Sequence, residues 1–166
     1  MNNQQTPTRF FFRLLCACGI SLLIGSGFST ATAAPNSDSC ALLKPADLTA
    51  LLGGMPITKP NAGACSWTAS GSSRKLIAAR LKATGPAAEM AFAGARNGAT
   101  KGGAGKVTDE AGLGDKAFAS QESFGVVLVM LKQGRLLQLQ YWTGAAGSAK
   151  DLGALRPVAK KAIAAF

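Results

Sequence analysis

The strongest constraint on the fold is an apolar stretch, residues 125–143 (GVVLVMLKQGRLLQLQYWT), which is interrupted once by a polar dipeptide. Two runs rich in β-branched, aliphatic and aromatic residues, separated by two turn residues, are typical of a β-hairpin. With Gln133 and Gly134 as the turn, Lys132 faces Arg135, and this register determines every other pair. The stretch therefore predicts two antiparallel strands at the centre of the fold.

The predicted hairpin has two faces of different composition. The first face is wholly apolar, so we expect it to lie in the core. The second face mixes apolar and amide side chains, and it is either covered by a helix or exposed as a binding surface. The sequence leaves both alternatives open. The first face comprises Val126, Leu128, Met130, Leu137, Leu139 and Tyr141, and the candidate binding surface on the second face comprises Val127, Val129, Gln138, Gln140 and Trp142.

Residues 1–33 have the composition of a cleaved secretory signal peptide. Arg9 and Arg13 are their only charges, an uncharged and mostly apolar run covers residues 14–28, and Ala31 and Ala33 occupy the two small positions before a cleavage site. The apolar run is shorter than the ~20 residues that a membrane-spanning helix needs. The segment therefore predicts export to the periplasm or the exterior of the cell.

Contact with a membrane is expected only through this signal peptide. Residues 15–18 (LCAC) loosely resemble a lipoprotein signal in which Cys18 would be acylated, so a lipid anchor there is a minor alternative. Cys16 stands where such signals carry a small or aliphatic residue, and the apolar run continues past Cys18 to Phe28.

Removal of residues 1–33 leaves two cysteines, Cys40 and Cys65. An even pair in an exported protein favours a disulfide bond, and the loop between them is about 25 residues long. The bond is predicted to be structural, because no Cys-x-x-Cys pair remains after cleavage.

The remaining chain is strongly basic, with sixteen Lys and Arg against eight Asp and Glu and no His, a net charge of about +8. Such an excess attracts anionic partners, although it also fits an ordinary solvated surface. Nucleic acid is disfavoured by the predicted compartment and because the basic residues are not interleaved with aromatic ones. Lys101 and Lys106 flank a glycine-rich segment and form a candidate anion-contact loop, with a flexible linker as the alternative.

The order of elements predicts an α+β domain over residues 40–166, preceded by a short polar lead-in at 34–39. Helices are predicted at 45–52, at 84–97 and after Ser148, where Ser148 and Asp151 form a capping box. Neighbouring strands favour antiparallel pairing. We therefore expect an antiparallel sheet of about five to seven strands packed against two to three helices, with one disulfide. The other predicted strands cover residues 55–59, 64–69, 75–82, 106–109 and 116–119, and predicted loops cover residues 59–63 and 98–105.

Several side chains carry more local predictions. Ile77, Ala79 and Leu81 are expected to face the core from their strand, and Met90 and Phe92 to be the main apolar contacts of the second helix. Pro157 lies inside the last helix, which it should kink or split.

No pattern in the sequence indicates catalysis, a cofactor or a metal. The lack of His excludes Ser-His-Asp and Cys-His arrangements and His-ligated metals. Ser72 and Lys75 match Ser-x-x-Lys, but the companion motifs of that chemistry are missing and a turn is the better interpretation. The acidic residues near 109–115 lack the spacing of a calcium loop, so a solvated turn is expected. The chain is therefore predicted not to be an enzyme.

Four short motifs occur in order along the chain: Cys40-Ala41-Leu42-Leu43, Leu51-Leu52-Gly53, Cys65-Ser66-Trp67 and Gly112-Leu113-Gly114-Asp115-Lys116-Ala117. Together they resemble a family of small exported bacterial proteins of unknown function, often lipoproteins and best known from actinobacteria. The resemblance implies an antiparallel sheet flanked by helices, similar to the PsbP-like sandwiches, and no catalytic residues. The chain departs from this family in its poor lipoprotein signal.

The functional expectation is a non-enzymatic binding or accessory protein of the bacterial cell envelope. Its basic surface would contact an anionic envelope component. The alternative is an inhibitor or immunity protein that binds and blocks a secreted toxin or hydrolase.

Overall fold

The computed structural model describes residues 37–102 and 105–166. The predicted signal peptide, the alternative acylation site at Cys18 and residues 34–36 of the predicted lead-in lie outside the described residues. A short 3₁₀ helix, Ser37–Leu42, begins within that lead-in.

The described residues form one antiparallel sheet of seven strands with three α-helices, which confirms the predicted α+β class. The order of helices and strands also matches the prediction. The helices are α1 (Pro45–Leu52), α2 (Pro86–Lys101) and α3 (Ala149–Ala164), and the strands are β1 (Pro56–Asn61), β2 (Ala64–Ala69), β3 (Lys75–Thr84), β4 (Val107–Asp109), β5 (Lys116–Glu122), β6 (Gly125–Lys132) and β7 (Arg135–Trp142).

Two strand meanders lie side by side in the sheet, whose order is β1-β2-β3-β7-β6-β5-β4. The first meander is β1 to β3 and the second is β4 to β7. They join where β3 pairs antiparallel with β7. The predicted hairpin, β6 and β7, therefore lies inside the sheet and is paired on both sides.

The register of the hairpin is the predicted one, from Lys132 opposite Arg135 to Val126 opposite Tyr141. Gln133 and Gly134 have φ angles of 50° and 66°, so both turn residues adopt the left-handed conformation. Two such residues in a two-residue loop match the twist of the flanking strands. The local chemistry of the turn thus determines which side chains share a face.

The first face of the sheet is the main core, as predicted. Its six hairpin residues are fully or almost fully buried, and α1 and α3 pack over them. Trp67 of β2 lies in the same core. The Tyr141 hydroxyl donates a hydrogen bond to the Leu51 carbonyl in the last turn of α1, at 2.9 Å. Burial of this phenol raises the pKa of Tyr141.

Local signals end α1 and begin α3 where the sequence predicts. Gly53, with φ at 79°, terminates α1 in the left-handed conformation that glycine tolerates. Ser148 and Asp151 form the capping box of α3, because the Ser148 hydroxyl accepts from the Asp151 N–H while the carboxylate accepts from the Ser148 N–H. Pro157 does not split α3, which continues as one helix through it.

The predicted core face of β3 is wrong. Leu76 and Ala78 are buried on the first face, whereas Leu81 is 40% exposed on the second face. Both alternating positions of β3 carry apolar residues, so its sequence does not decide between them. Pairing decides instead, because Leu76 lies opposite Trp67 in β2 and Tyr141 in β7, which both belong to the first face.

Other local predictions also need correction. Helix α2 runs through Lys101, so the first four residues of the predicted 98–105 loop are helical. Phe92 is buried as predicted, but Met90 is 70% exposed, because residues two apart lie on opposite sides of a helix. Pro60 and Asn61 belong to β1 rather than to a turn, and an edge strand tolerates the missing N–H of proline.

The Cys40–Cys65 disulfide is present, with the two Cα atoms 5.0 Å apart, and it joins the 3₁₀ helix to β2. The Ser39 hydroxyl supports the same attachment by donating to the Gly63 carbonyl at 3.1 Å. A disulfide between these positions is typical of proteins in oxidising compartments.

We expect that replacing both cysteines with alanine lowers the free energy of unfolding by about 3.5 kcal/mol, because the unfolded chain loses a loop constraint of about 25 residues. Urea denaturation of the variant and of the oxidised protein measures this difference. Mass spectrometry with and without reductant is the control. A mass that does not rise by two protons on reduction would contradict the bond.

Candidate functional site

Helix α2 covers only part of the second face of the sheet. The Phe92 ring packs edge-on against Phe118, with centroids 5.3 Å apart. Ala88, four residues earlier on the same side of the helix, is also buried there. Around these contacts α2 forms a second, smaller core with Val129, Leu131 and Leu136.

Two exposed ion pairs attach α2 to the neighbouring strands. Arg96 donates two hydrogen bonds to the Asp109 carboxylate in β4, at 2.9 and 3.0 Å. Lys116 in β5 donates to Glu89 at 2.7 Å. Both pairs lie toward the β4–β5 edge of the sheet and attach α2 on that side, whereas the Gly85 N–H at the start of the helix donates to the Gly134 carbonyl of the hairpin turn.

The remaining part of the second face, on β1, β2, β3 and β7, is left open, and we call it the open half. The strand register places its members in rows, such as Ile57, Thr68, Lys75 and Trp142 across four strands. Three of its large apolar side chains are substantially exposed, Ile57 at 49%, Leu81 at 40% and Trp142 at 37%. The open half consists of Ile57, Lys59, Thr68, Lys75, Ile77, Ala79, Leu81, Gln138, Gln140 and Trp142.

Charge is distributed unevenly along the sheet. The four strands β1, β2, β3 and β7 contain five cationic residues and no Asp or Glu. The carboxylates of the second meander lie in or beside β4 and β5 instead. The cations are Lys59, Lys75, Arg80, Lys82 and Arg135, and the carboxylates are those of Asp109, Glu110, Asp115 and Glu122.

A groove of about 330 Å³ lies between α2 and the strands β5, β6 and β7. Its apolar surface is formed largely by aromatic and β-branched side chains, and small alanines line it from α2. At one end Phe124 stacks on Trp142 of the open half, with ring centroids 4.3 Å apart. The groove is lined by Ala95, Ala99, Phe118, Ser120, Glu122, Phe124, Val127, Val129, Gln138 and Gln140.

The polar side chains of the groove lie in β5 and β7. The buried Ser120 hydroxyl donates to the Glu122 carboxylate at 2.6 Å. Gln138 and Gln140 are half-buried, and within residues 37–102 and 105–166 their side-chain amides make no hydrogen bond. The groove thus combines one carboxylate, two amides and an apolar lining.

The candidate binding surface predicted from the sequence is divided by α2. Val129 is buried beneath the helix, with 4% exposure. Val127, Gln138 and Gln140 are half-buried in the groove, and Trp142 lies at its exposed end. One part of the second face is therefore covered by a helix and another part is accessible, while a role in binding stays a prediction.

The candidate anion-contact residues lie elsewhere. Lys101 is the last residue of α2 and Lys106 immediately precedes β4, and both are exposed. The Lys106 carbonyl accepts a hydrogen bond from the Gln121 N–H at 3.1 Å, which continues the β4–β5 pairing. Neither lysine lines the groove. Residues 103–104 of the predicted loop lie outside the described residues.

The predicted solvated acidic turn is wrong for Glu110. Its side chain is only 6% exposed and accepts two hydrogen bonds from Arg156 of α3, at 2.7 and 3.0 Å. This pairing raises the pKa of Arg156. Asp115 is also engaged, because it accepts the N–H of Gln133 in the hairpin turn at 2.6 Å.

The other motifs considered in the sequence have local roles. The Ser72 hydroxyl accepts from the Arg74 N–H at 3.1 Å, as in a turn. Within the part of the chain that the structure describes, no cluster of three His, Cys, Asp or Glu side chains could hold a metal. None of the described helices combines the length and apolarity needed to cross a membrane.

Sequence reasoning missed the groove residues contributed by β5 and the following turn. The predicted strand ended at Ala119, whereas β5 continues to Glu122. Phe118, Ser120 and Glu122 alternate along β5 and so share the second face. The alternation of these residues could be recognised in the sequence, but the position of α2 beside β5 could not.

Comparison with known proteins gives no match: no protein-family model, curated protein or solved structure resembles the chain significantly. The resemblance to exported proteins of unknown function therefore stays a prediction.

We expect the Asp109 carboxylate to titrate below the ordinary range of aspartate, because the hydrogen bond from Arg96 holds its pKa down. The contribution of this pair to stability is full above the ordinary Asp pKa and is lost as pH falls through the lowered value. A ¹³C NMR titration of side-chain carboxyls measures the midpoint. Arg96→Gln should return it to the ordinary range, and an unchanged midpoint would contradict the attachment of α2 to β4.

Proposed function

We propose that the protein is an exported, non-enzymatic binding protein of the bacterial cell envelope that contacts an anionic partner through the open half of the second face. The observation that carries the proposal is a pair of cations beside exposed apolar side chains, on four strands that contain no carboxylate. Two other cations of these strands, Arg80 and Arg135, lie against the Phe166 ring instead and do not belong to this surface.

Lys59 and Lys75 are the cations that the register places on the open half. Lys59 lies beside Ser66 at the edge of the sheet, and Lys75 lies between Thr68 and Trp142. Neither forms an ion pair with a described residue. Each lysine near an anionic surface contributes about 1 kcal/mol to association, and salt weakens this attraction.

The apolar side chains between these lysines refine the class of partner. Ile57 shares a row with Lys75, and Ile77 shares a row with Lys59. A contiguous exposed apolar surface is typical of an interaction site. A partner that presents anionic groups beside apolar chains, as an anionic lipid does, satisfies both features of the open half. The proposal thus replaces the expectation that a membrane is contacted only through the signal peptide.

Export is supported by the signal-peptide composition of residues 1–33 and by the disulfide. A role in binding rather than catalysis is supported by the carboxylates of the sheet. Asp109 and Glu110 are each held by two hydrogen bonds from an arginine, so their charges stabilise the fold.

The proposal predicts that the protein binds vesicles containing phosphatidylglycerol and not vesicles of phosphatidylcholine. Reversing both lysines with Lys59→Glu and Lys75→Glu should weaken this binding by about tenfold or more, since two favourable charges become unfavourable. Co-sedimentation at increasing salt concentration measures the effect. Binding of the native protein should decline between low and moderate ionic strength.

The matched control reverses two exposed lysines of α3, Lys150→Glu and Lys160→Glu, which changes the net charge equally. Equal loss in both double variants would show that net charge alone drives binding and would refute the assignment to the open half. A stoichiometric, salt-resistant complex with a secreted hydrolase, without vesicle binding, would replace the proposal with the inhibitor function.

A further inference from the structure

We propose that the groove between α2 and strands β5 to β7 is a binding site for a small organic cation, an ammonium group carried on a compact apolar body. This goes beyond the proposed function, because the groove shares Gln138 and Gln140 with the open half but contains the Glu122 carboxylate and neither Lys59 nor Lys75. The observations behind it are the charge, the shape and the free hydrogen-bonding groups of the groove.

Among the described residues, Glu122 is the one ionisable residue that lines the groove. Its side chain is half-buried, and the buried Ser120 hydroxyl holds one of its oxygens. No described Lys or Arg forms an ion pair with this carboxylate. Partial burial of an uncompensated negative charge costs free energy. A cationic ligand would offset this cost through a charge-assisted hydrogen bond.

The apolar lining accommodates the body of such a ligand. Phe118, Val127 and Val129 form adjoining positions on β5 and β6, and Phe124 closes one end. Aromatic rings next to a carboxylate favour organic cations, because the ring face attracts positive charge while the apolar body is removed from water. The volume of about 330 Å³ is at the lower end of the range for small-molecule sites.

The two glutamines supply the remaining hydrogen bonds. Gln138 and Gln140 are two residues apart in β7, so both side chains lie on the second face. Gln140, Val127 and Ser120 form one row across three strands, which separates Gln140 from Ser120 by about 10 Å of backbone. One small molecule can therefore contact the carboxylate at one end and an amide at the other.

The same lining argues against other ligand classes. An anion would meet Glu122 without a cation to balance it, since no Lys or Arg of residues 37–102 and 105–166 lines the groove. A neutral sugar would satisfy the amides but would leave the carboxylate charge uncompensated. Glu122 therefore decides between an ammonium compound and a neutral one.

The test uses 2-phenylethylammonium as the probe and 2-phenylethanol as its neutral counterpart of the same shape. We expect saturable ¹H–¹⁵N shifts of the Gln138 and Gln140 side-chain amides with the ammonium probe. The alcohol should bind about tenfold more weakly or worse, because a hydrogen bond to a charged group is worth more than one between neutral groups.

Two variants and a control assign the site. Glu122→Gln should weaken ammonium binding by about tenfold or more, whereas Asp47→Asn removes an equal charge on α1, which packs on the opposite face of the sheet, and should leave binding unchanged. Ala99→Leu should abolish binding by filling the groove. Thermal unfolding confirms that each variant is folded. If the Glu122→Gln protein does not fold, the Ala99→Leu variant is the test, and unchanged ammonium binding in it would overturn the proposal.

Four other results would overturn the proposal: no saturable shift with the ammonium probe, equal affinity for the alcohol, unchanged ammonium binding in a folded Glu122→Gln variant, or displacement of the ammonium probe by N-acetylglucosamine at equal concentration. Binding of anionic vesicles is scored separately with the Lys59→Glu, Lys75→Glu variant. Failure of the groove proposal and failure of the proposed function can therefore be told apart.

Discussion

The pairing of Lys132 with Arg135 across a two-residue turn determines the direction of every side chain at the centre of the sheet. A shift of one residue would exchange the two faces and move the six core residues of the hairpin into the second layer. Near the turn both faces are apolar, because Met130 and Leu137 occupy one and Leu131 and Leu136 the other. The hairpin therefore requires a helical layer on each side, and α3 with α1 supplies one while α2 supplies the other.

The hairpin, the disulfide and the α+β class could be predicted because each depends on a short-range or compositional rule. The turn residues define the register, and the cysteine pair defines the bridge. The orientation of β3 could not be predicted in the same way, since Leu76 and Ile77 are equally suited to a core and only the contacts of Leu76 with its neighbours across the sheet decide. The groove could not be predicted either, because it depends on the path of α2 across strands distant from it in sequence.

The groove follows from the composition of α2. Its side facing the sheet carries one large apolar residue, Phe92, followed by alanines at positions 95 and 99. Phe92 anchors the helix where Leu131 and Leu136 lie, and the small alanines leave space beyond it over Val127. The ion pairs of Arg96 and Glu89 attach the side of the helix to the sheet. A helix with a broader apolar stripe would be attached by apolar contacts instead. The small alanines of α2 thus explain both why little of the helix surface is buried and why a groove lies beside it.

The second face is also divided by the ionised side chains that it carries. Lys59 and Lys75 lie on its β1–β3 side, where the strands contain no carboxylate. Its β4–β5 side carries the carboxylates of Asp109 and Glu122 together with the cations Arg96 and Lys116. The neutral amides of Gln138 and Gln140 lie between these two groups, together with Trp142. Because an amide can donate and accept without favouring either charge, these residues can contact a partner that is bound on either side of the face.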